Sequence, residues 1–295
     1  MTLQLAERRA LAQLHVCVLL WGFTAILGKL ITLPASNLVV WRMALVTLML
    51  AAIPSVWRGI ATMTRRSIVT YAGIGVVLAL HWLTFYAAIK LANASVAVSC
   101  VALGSIFTAA LEPRLTGRPY EPREFLLGLV AVPGVMLVAG GIPVGMLPGL
   151  GIGILSAFLT ALLSTLNKRH VGAGSAEALT FVQIGAGTLF VAAGMLVVEG
   201  VEPLRSLPGR DDLALLLVLA VACTLLPYVL WLRALQHISA FATQLALNLE
   251  PVYAIVIAAL WFREDRELSV GFYAGVLLIL SAVVIQPVLR ARAAR

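Results

Sequence analysis

Charge is scarce in this sequence. Only 12 % of its 295 residues are Asp, Glu, Lys or Arg, against 61 % hydrophobic ones, and the mean hydropathy is +1.02. A soluble domain carries roughly a quarter charged residues, so the shortage excludes one and implies an integral membrane protein. Cysteine is scarcer still. Cys17, Cys100 and Cys223 are odd in number, lie inside apolar runs and have no CxxC or His-paired spacing, which speaks against disulfides and against a metal site. No HExxH, GxSxG, paired aspartates in adjacent runs or phosphate-cradling glycine loop occurs. Enzymatic hydrolysis and direct use of ATP are therefore not expected, nor is any cofactor. The net charge of +8 forms no basic face with interleaved aromatics, so no nucleic-acid partner is expected.

What the chain has is apolar runs. A bilayer core of about 30 Å takes roughly 20 helical residues, and every backbone polar group must be satisfied within the segment. Cutting at charges, prolines and glycine clusters predicts ten spans, near 10–32, 36–56, 67–89, 93–115, 123–141, 148–169, 176–198, 212–236, 239–262 and 268–289. The first follows Arg8 and Arg9 and resembles a signal peptide, but it is too long for a simple h-region. The longest connector, around EGVEPLRSLPGRDD, leaves no room for a soluble domain.

Placing the N-terminus in the cytoplasm collects fourteen of the 21 Lys and Arg residues there and six on the other side, with Arg42 left inside the second span. The positive-inside rule then puts both termini in the cytoplasm of a cell whose inner, plasma membrane the chain crosses. Basic residues are thus read as orientation signals.

Sliding the chain by about 146 residues aligns FYAAIKLANASVAVSCVALGSIFTAAL with LWLRALQHISAFATQLALNLEPVYAIVIAAL, with Leu103 meeting Leu249 and Phe107 meeting Tyr253. LEPVYAIVIAALWFRED at 249–265, with Pro251 and Glu264, resembles the second-half signature of EamA-type members of the drug/metabolite transporter superfamily. LLWGFTAILGK at 19–29, with Trp21 and Lys29, resembles the family's first-span pattern, and Arg42 matches its second-span arginine. The chain departs from the pattern at Ser105, where proline is usual, and at Arg118, where an acidic residue is usual. LEP at 111–113 is out of register and is read as coincidence, with Glu112 placed at a helix end where a carboxylate reaches water. Among relatives the resemblance is greatest to YddG-type exporters of aromatic amino acids. It implies an all-α integral membrane protein of ten transmembrane helices, built as two five-helix repeats, 1–145 and 146–295, around a central cavity. Five crossings per repeat force the second to enter from the opposite side, an inverted arrangement with the substrate held near the midplane.

Polar groups at membrane depth usually face such a cavity. The substrate-binding candidates are Trp21, His81, Trp82, Phe85, Ser99, Leu103, Tyr228, Trp231, Gln244 and Asn248, with Thr24, Tyr86 and Thr224 on the same faces. Ser156, Thr160, Ser164 and Asn167 form a stripe on the sixth span. Trp57, Tyr71, Tyr120, Trp261 and Tyr273 are read as interfacial anchors. Glu250 lies eleven residues beyond Ser239, about 16 Å along the helix at 1.5 Å per residue, which is midplane. Proton exchange or gating is the role expected of Glu250, while Arg42 is read as a gating residue or one that snorkels to the external interface. Pro251 would free the carbonyl of Leu247 and kink the helix. Gly149, Gly153 and Ala157, and Gly185, Gly187 and Gly194, make small faces for close helix approach.

The function these features imply is export of small amphipathic metabolites, amino acids among them, by alternating access, with the substrate and the lipid bilayer as the partners of a monomer. The competing readings are another solute class, an intramembrane transferase pairing His81 with Glu250, and a scaffold whose polar stripes are consumed by helix contacts.

Overall fold

The computed structural model describes residues 2–250 together with 270–271, 273–275, 277–278 and 281. The order of its helices is α1 (Thr2–Leu30), α2 (Ala35–Ala51), α3 (Pro54–Ala61), α4 (Arg65–Leu91), α5 (Ala94–Val101), α6 (Gly104–Thr116), α7 (Pro122–Leu129) and α8 (Ala131–Gly140). After a short turn come α9 (Leu147–Arg169), α10 (Ala176–Val198), α11 (Glu202–Arg205), α12 (Arg210–Ala220), a π turn (Val221–Leu225), α13 (Leu226–Ala234) and α14 (Ala240–Leu247). Among the described residues seven segments are long and apolar enough to cross a membrane, or eight if α2 and α3 count as one bent span. The chain is a multi-pass membrane protein. The eight match the first eight expected spans, while most of the ninth and tenth, Pro251 and Trp261 included, lies outside the described residues.

The second span is shorter than the sequence implied. Its helix stops at Ala51, and Pro54, which has no N–H to continue the ladder, opens α3 at 86° to it. On α3 Val56 is buried, while Trp57 and Arg58 are exposed. Trp57 donates to the Ala51 carbonyl at 2.8 Å. Residues 54–56 thus belong to an amphipathic segment turned away from the span.

Side-chain caps start several helices where the sequence offers Thr, Asn or Ser, as N-capping requires. Thr64 accepts from Ser67 N at 3.1 Å and Asn93 from Val96 N at 2.8 Å. Ser175 and Ser239 do the same for Ala178 and Ala242. Two breaks interrupt otherwise continuous apolar runs, one at Ala102–Leu103 between α5 and α6, the other at Asn248–Leu249 after α14. Both tighten into bonds to the third residue back, Leu103 to Cys100 at 3.0 Å and Leu249 to Ala246 at 3.0 Å. The caps Asn93 and Ser239 and the breaks at 102 and 248 are each 146 residues apart, the offset of the sequence repeat. In the first break Ser105 donates its hydroxyl to the Ala102 carbonyl at 2.8 Å.

Contacts identify two ends of the bundle. At one, Asp212 accepts from Thr32 N and Oγ1 at 2.8 and 2.7 Å, and Lys90 donates to the Ile31 carbonyl at 2.6 Å. At the other, Tyr71 donates to the His170 carbonyl, Lys168 to the Leu235 carbonyl, both at 2.7 Å, and Arg233 pairs with Glu177. Tyr71 is buried there and locks α4 to the end of α9, so the anchoring role expected of it is wrong.

Glycine faces set the closest approaches. A Cβ on Gly75 would come within 2.1 Å of the Gln183 carbonyl oxygen, and one on Gly187 within 2.9 Å of that of Gly75, so α4 and α10 touch backbone to backbone. Gly149 and Gly153 admit Ala92 and Cys100 respectively, and Ala88 lies near Gly153, so their face meets the third and fourth spans. A Cβ on Gly194 would meet nothing within 4 Å among the described residues. Leu48, Val69, Leu189 and Val197 are exposed, as a lipid-facing surface requires.

Candidate functional site

The polar and aromatic residues of six spans converge on one cavity. Trp21 and Thr24 come from α1, Arg42 from α2, and Leu78, His81, Trp82 and Phe85 from α4. Val101 of α5, Thr160, Leu163 and Ser164 of α9, Tyr228 and Trp231 of α13, Leu247 of α14 and then Glu250 complete the lining. The cavity holds about 630 Å³ of atom-free space, of which about 80 Å³ admits the centre of a water molecule. That is tight but roomy enough for water, since one water needs at least about 10–15 Å³ by the second measure. Trp231 stacks edge-on to Trp21 with ring centres 6.3 Å apart, and Tyr228 lies 5.2 Å from Trp231.

Arg42 does not snorkel. It is 1 % exposed, and three of its five N–H groups are fixed. Nε donates to Thr224 Oγ1 at 2.6 Å, Nη1 to the Tyr86 hydroxyl at 2.7 Å and Nη2 to the Cys223 carbonyl at 3.1 Å. The guanidinium also lies 3.9 Å from the centre of the Trp82 ring, a cation–π contact. The π turn creates the receptor for it. Pro227 has no N–H to offer the carbonyl four residues back, which is that of Cys223, and Thr224 in turn donates to the Leu219 carbonyl at 2.6 Å. A cysteine, a threonine and a proline thus turn part of a lipid-depth helix into an arginine site.

Glu250 is buried and lines the same cavity. Among the described residues no hydrogen bond or ion pair closes on it, Arg42 included. Arg42 and Glu250 share one pocket without a direct bond because the Arg42 donors are held elsewhere. His81 Nδ1 lies 3.0 Å from the Ser156 carbonyl and 2.9 Å from its hydroxyl. Tyr228 donates to Gln183 Oε1 at 2.8 Å, and Gln183 and Asn167 exchange amide hydrogen bonds at 3.0 and 3.2 Å.

The structure brings Trp21, His81, Trp82, Phe85, Tyr228, Trp231, Glu250 and Arg42 together around the cavity. It leaves four expected residues off the lining. Ser99 returns its hydroxyl to the Ser95 carbonyl of its own helix at 2.8 Å, and Leu103 sits at the α5–α6 break. Gln244 is fully buried, accepts from Ser164 at 3.2 Å and packs its Nε2 where a side chain on Gly104 would stand. Asn248 is fully buried, with neither side-chain polar atom partnered among the described residues. Pro251 lies outside the described residues. Sequence reasoning missed the apolar liners Leu78, Val101, Leu163 and Leu247, which carry no signal, and Gln183. The receptor for Arg42 did have one, a proline four residues after Cys223.

Glu112 also corrects its sequence reading. It is 1 % exposed and does not reach water; Oε1 accepts from Ala240 N and Oε2 from Phe241 N, both at 2.9 Å. With Ser239 it caps the start of α14, where backbone N–H groups favour an anion.

The EamA-like transporter family model matches residues 9–140 and again 147–286. The chain belongs to the EamA-like transporter family and carries two of its repeats. No curated protein matches it. A solved crystal structure is similar with a TM-score of 0.71 at 16 % identity, covering 96 % of this chain and 98 % of that one. At that identity the likeness shows the fold alone.

Proposed function

We propose that the protein is a secondary transporter that exports small amphipathic metabolites, amino acids including aromatic ones, by alternating access. The observation that carries this reading is a buried cavity walled by Trp21, Trp82, Phe85, Tyr228 and Trp231 that also holds Arg42 and Glu250, with no direct hydrogen bond or ion pair between them among the described residues. Aromatic walls supply apolar area and ring contacts, and a few fixed polar groups orient a ligand. Trp231 Nε1 and Thr24 Oγ1 are buried without partners among the described residues beside that space, ready to bond a solute or water.

In this reading the units 1–145 and 146–295 are inverted repeats of five spans each, ten in all. The offset of 146 residues between caps and between breaks supports equivalence. The end bearing Arg65, Arg66, Lys168 and Arg169 faces the cytoplasm with both termini, and the membrane is the inner one. The monomer needs no cofactor, and Glu250 serves proton exchange or gating.

The test is uptake into proteoliposomes holding only this protein, with a panel of labelled amino acids, nucleosides and carboxylates, run with and without a pH gradient. Saturable flux of aromatic amino acids is expected. Flux of another class alone would replace the substrate assignment, and no flux of any solute would overturn transport.

A further inference from the structure

Of the groups that line the central cavity, His81 is the one whose hydrogen bonds fix what it can offer a solute. Its Nδ1 lies 3.0 Å from the Ser156 carbonyl of α9 and 2.9 Å from the Ser156 hydroxyl. A carbonyl oxygen brings no proton to such a contact, so the proton is on Nδ1. The hydroxyl does not supply one either, because it donates to the backbone carbonyl of His81 at 3.1 Å. Bonds in both directions thus clamp α4 to α9 and select one tautomer of the ring.

A neutral imidazole protonated at Nδ1 carries a lone pair at Nε2. Protonating Nε2 as well would add a second buried cation to a cavity that already holds the Arg42 guanidinium, and burying an unpaired charge is costly. No ion pair joins His81 to Glu250 among the described residues, and Nε2 has no partner among them. A histidine kept only to join two helices would need Nδ1 alone. The other nitrogen is an acceptor on a residue that lines the cavity.

The neighbours of His81 define what fits against it. Phe85, one turn along α4, has its ring centre 6.1 Å from that of His81 and is tilted to it by 38°. Leu78 and Trp82 border the same space. These surfaces take a flat apolar ring. An ammonium group has a stronger partner in the Glu250 carboxylate of the same cavity, since hydrogen bonds to an ionised group are about twice as strong as neutral ones. The neutral acceptor is left for an uncharged donor on the ring itself.

We propose that His81 is a specificity-determining residue that selects solutes whose aromatic ring carries an N–H or O–H donor, as indole and phenol rings do, with Nε2 as the acceptor. This rests on the reading of the cavity as a site for aromatic amino acids and narrows it. Tryptophan-like and tyrosine-like solutes are bound in preference to phenylalanine-like ones. A solute of the same shape without the donor leaves the acceptor unpaired in a dry site and loses affinity for that reason.

The test compares tryptophan with its benzothiophene isostere, in which sulfur replaces the ring N–H, as competitors for flux in proteoliposomes holding the full-length protein. A second arm needs no transport: indole and benzothiophene are titrated against the purified protein, with the thermal midpoint as readout. The wild type is expected to favour the N–H member about tenfold in both arms. His81→Asn keeps an amide N–H for the Ser156 carbonyl and has no atom at the Nε2 position. It should fold with the wild-type midpoint and show a preference below about twofold. His81→Gln carries an amide oxygen to the Nε2 position and should recover part of the preference. A wild-type ratio near one, indole that does not bind, a ratio that survives His81→Asn, or one lost in Glu250→Gln instead, overturns the inference. The wild-type ratio decides even if the His81 variants fail to fold. Absence of aromatic amino acid flux would overturn the substrate reading, and the indole arm would still report on His81.

Discussion

The two sides of the central cavity spend their polar groups differently. Where α2, α4 and α10 meet the π turn and α13, Arg42, Tyr86, Thr224, Gln183, Asn167 and Tyr228 satisfy one another. Where α1, α13 and α14 close the cavity, Thr24, Trp231 Nε1 and Glu250 have no hydrogen-bond or ion-pair partner among the described residues. Saturated networks at low dielectric rigidify a site, and unmatched groups there are costly unless water or a ligand meets them. One side therefore maintains shape while the other awaits a guest.

Removing a member of the saturated side should damage the fold before the activity. Arg42→Met would orphan the Tyr86 hydroxyl and the Cys223 carbonyl and cost about 3 kcal/mol or more. Its measure is a large drop in thermal midpoint in detergent with loss of monodisperse protein. Gln183→Leu strips the acceptor from Tyr228 and the partner from Asn167. It should cost about 2 kcal/mol, read in the same assay. On the open side the order reverses. Glu250→Gln should keep the wild-type midpoint and lower flux about tenfold, some 1.4 kcal/mol. A collapse of the Glu250→Gln protein would break the comparison, since the carboxylate would then be holding structure. Trp231→Phe keeps an aromatic ring, though a smaller one, and removes one donor unpartnered among the described residues. It should raise KM about threefold with kcat and midpoint unchanged.

The aromatic wall was legible because Trp21, Trp82, Tyr228 and Trp231 sit at mid-depth on one face of their helices, where neither lipid nor interface explains them. Glu250 was legible by depth alone. Ser99 misled because a serine inside a helix can satisfy itself on its own carbonyl row. Glu112 misled for a different reason: its partners lie 128 and 129 residues away in sequence, and only folding makes that helix end a capped and buried one. Tyr71 looked interfacial because the carbonyl it bonds is 99 residues distant. The bend after Ala51 was available in Pro54, but the apolar run through Ile53 concealed it.

The π turn has a mechanical consequence. It threads one more residue through the eighth span than a regular helix would carry, and each residue advances an α-helix by about 100°. Everything downstream is clocked by that amount. Deleting a single residue between Val221 and Leu225 would swing Tyr228 and Trp231 off the cavity together, while α12 kept its own orientation, so the facing of the eighth span is set by length as much as by residue type.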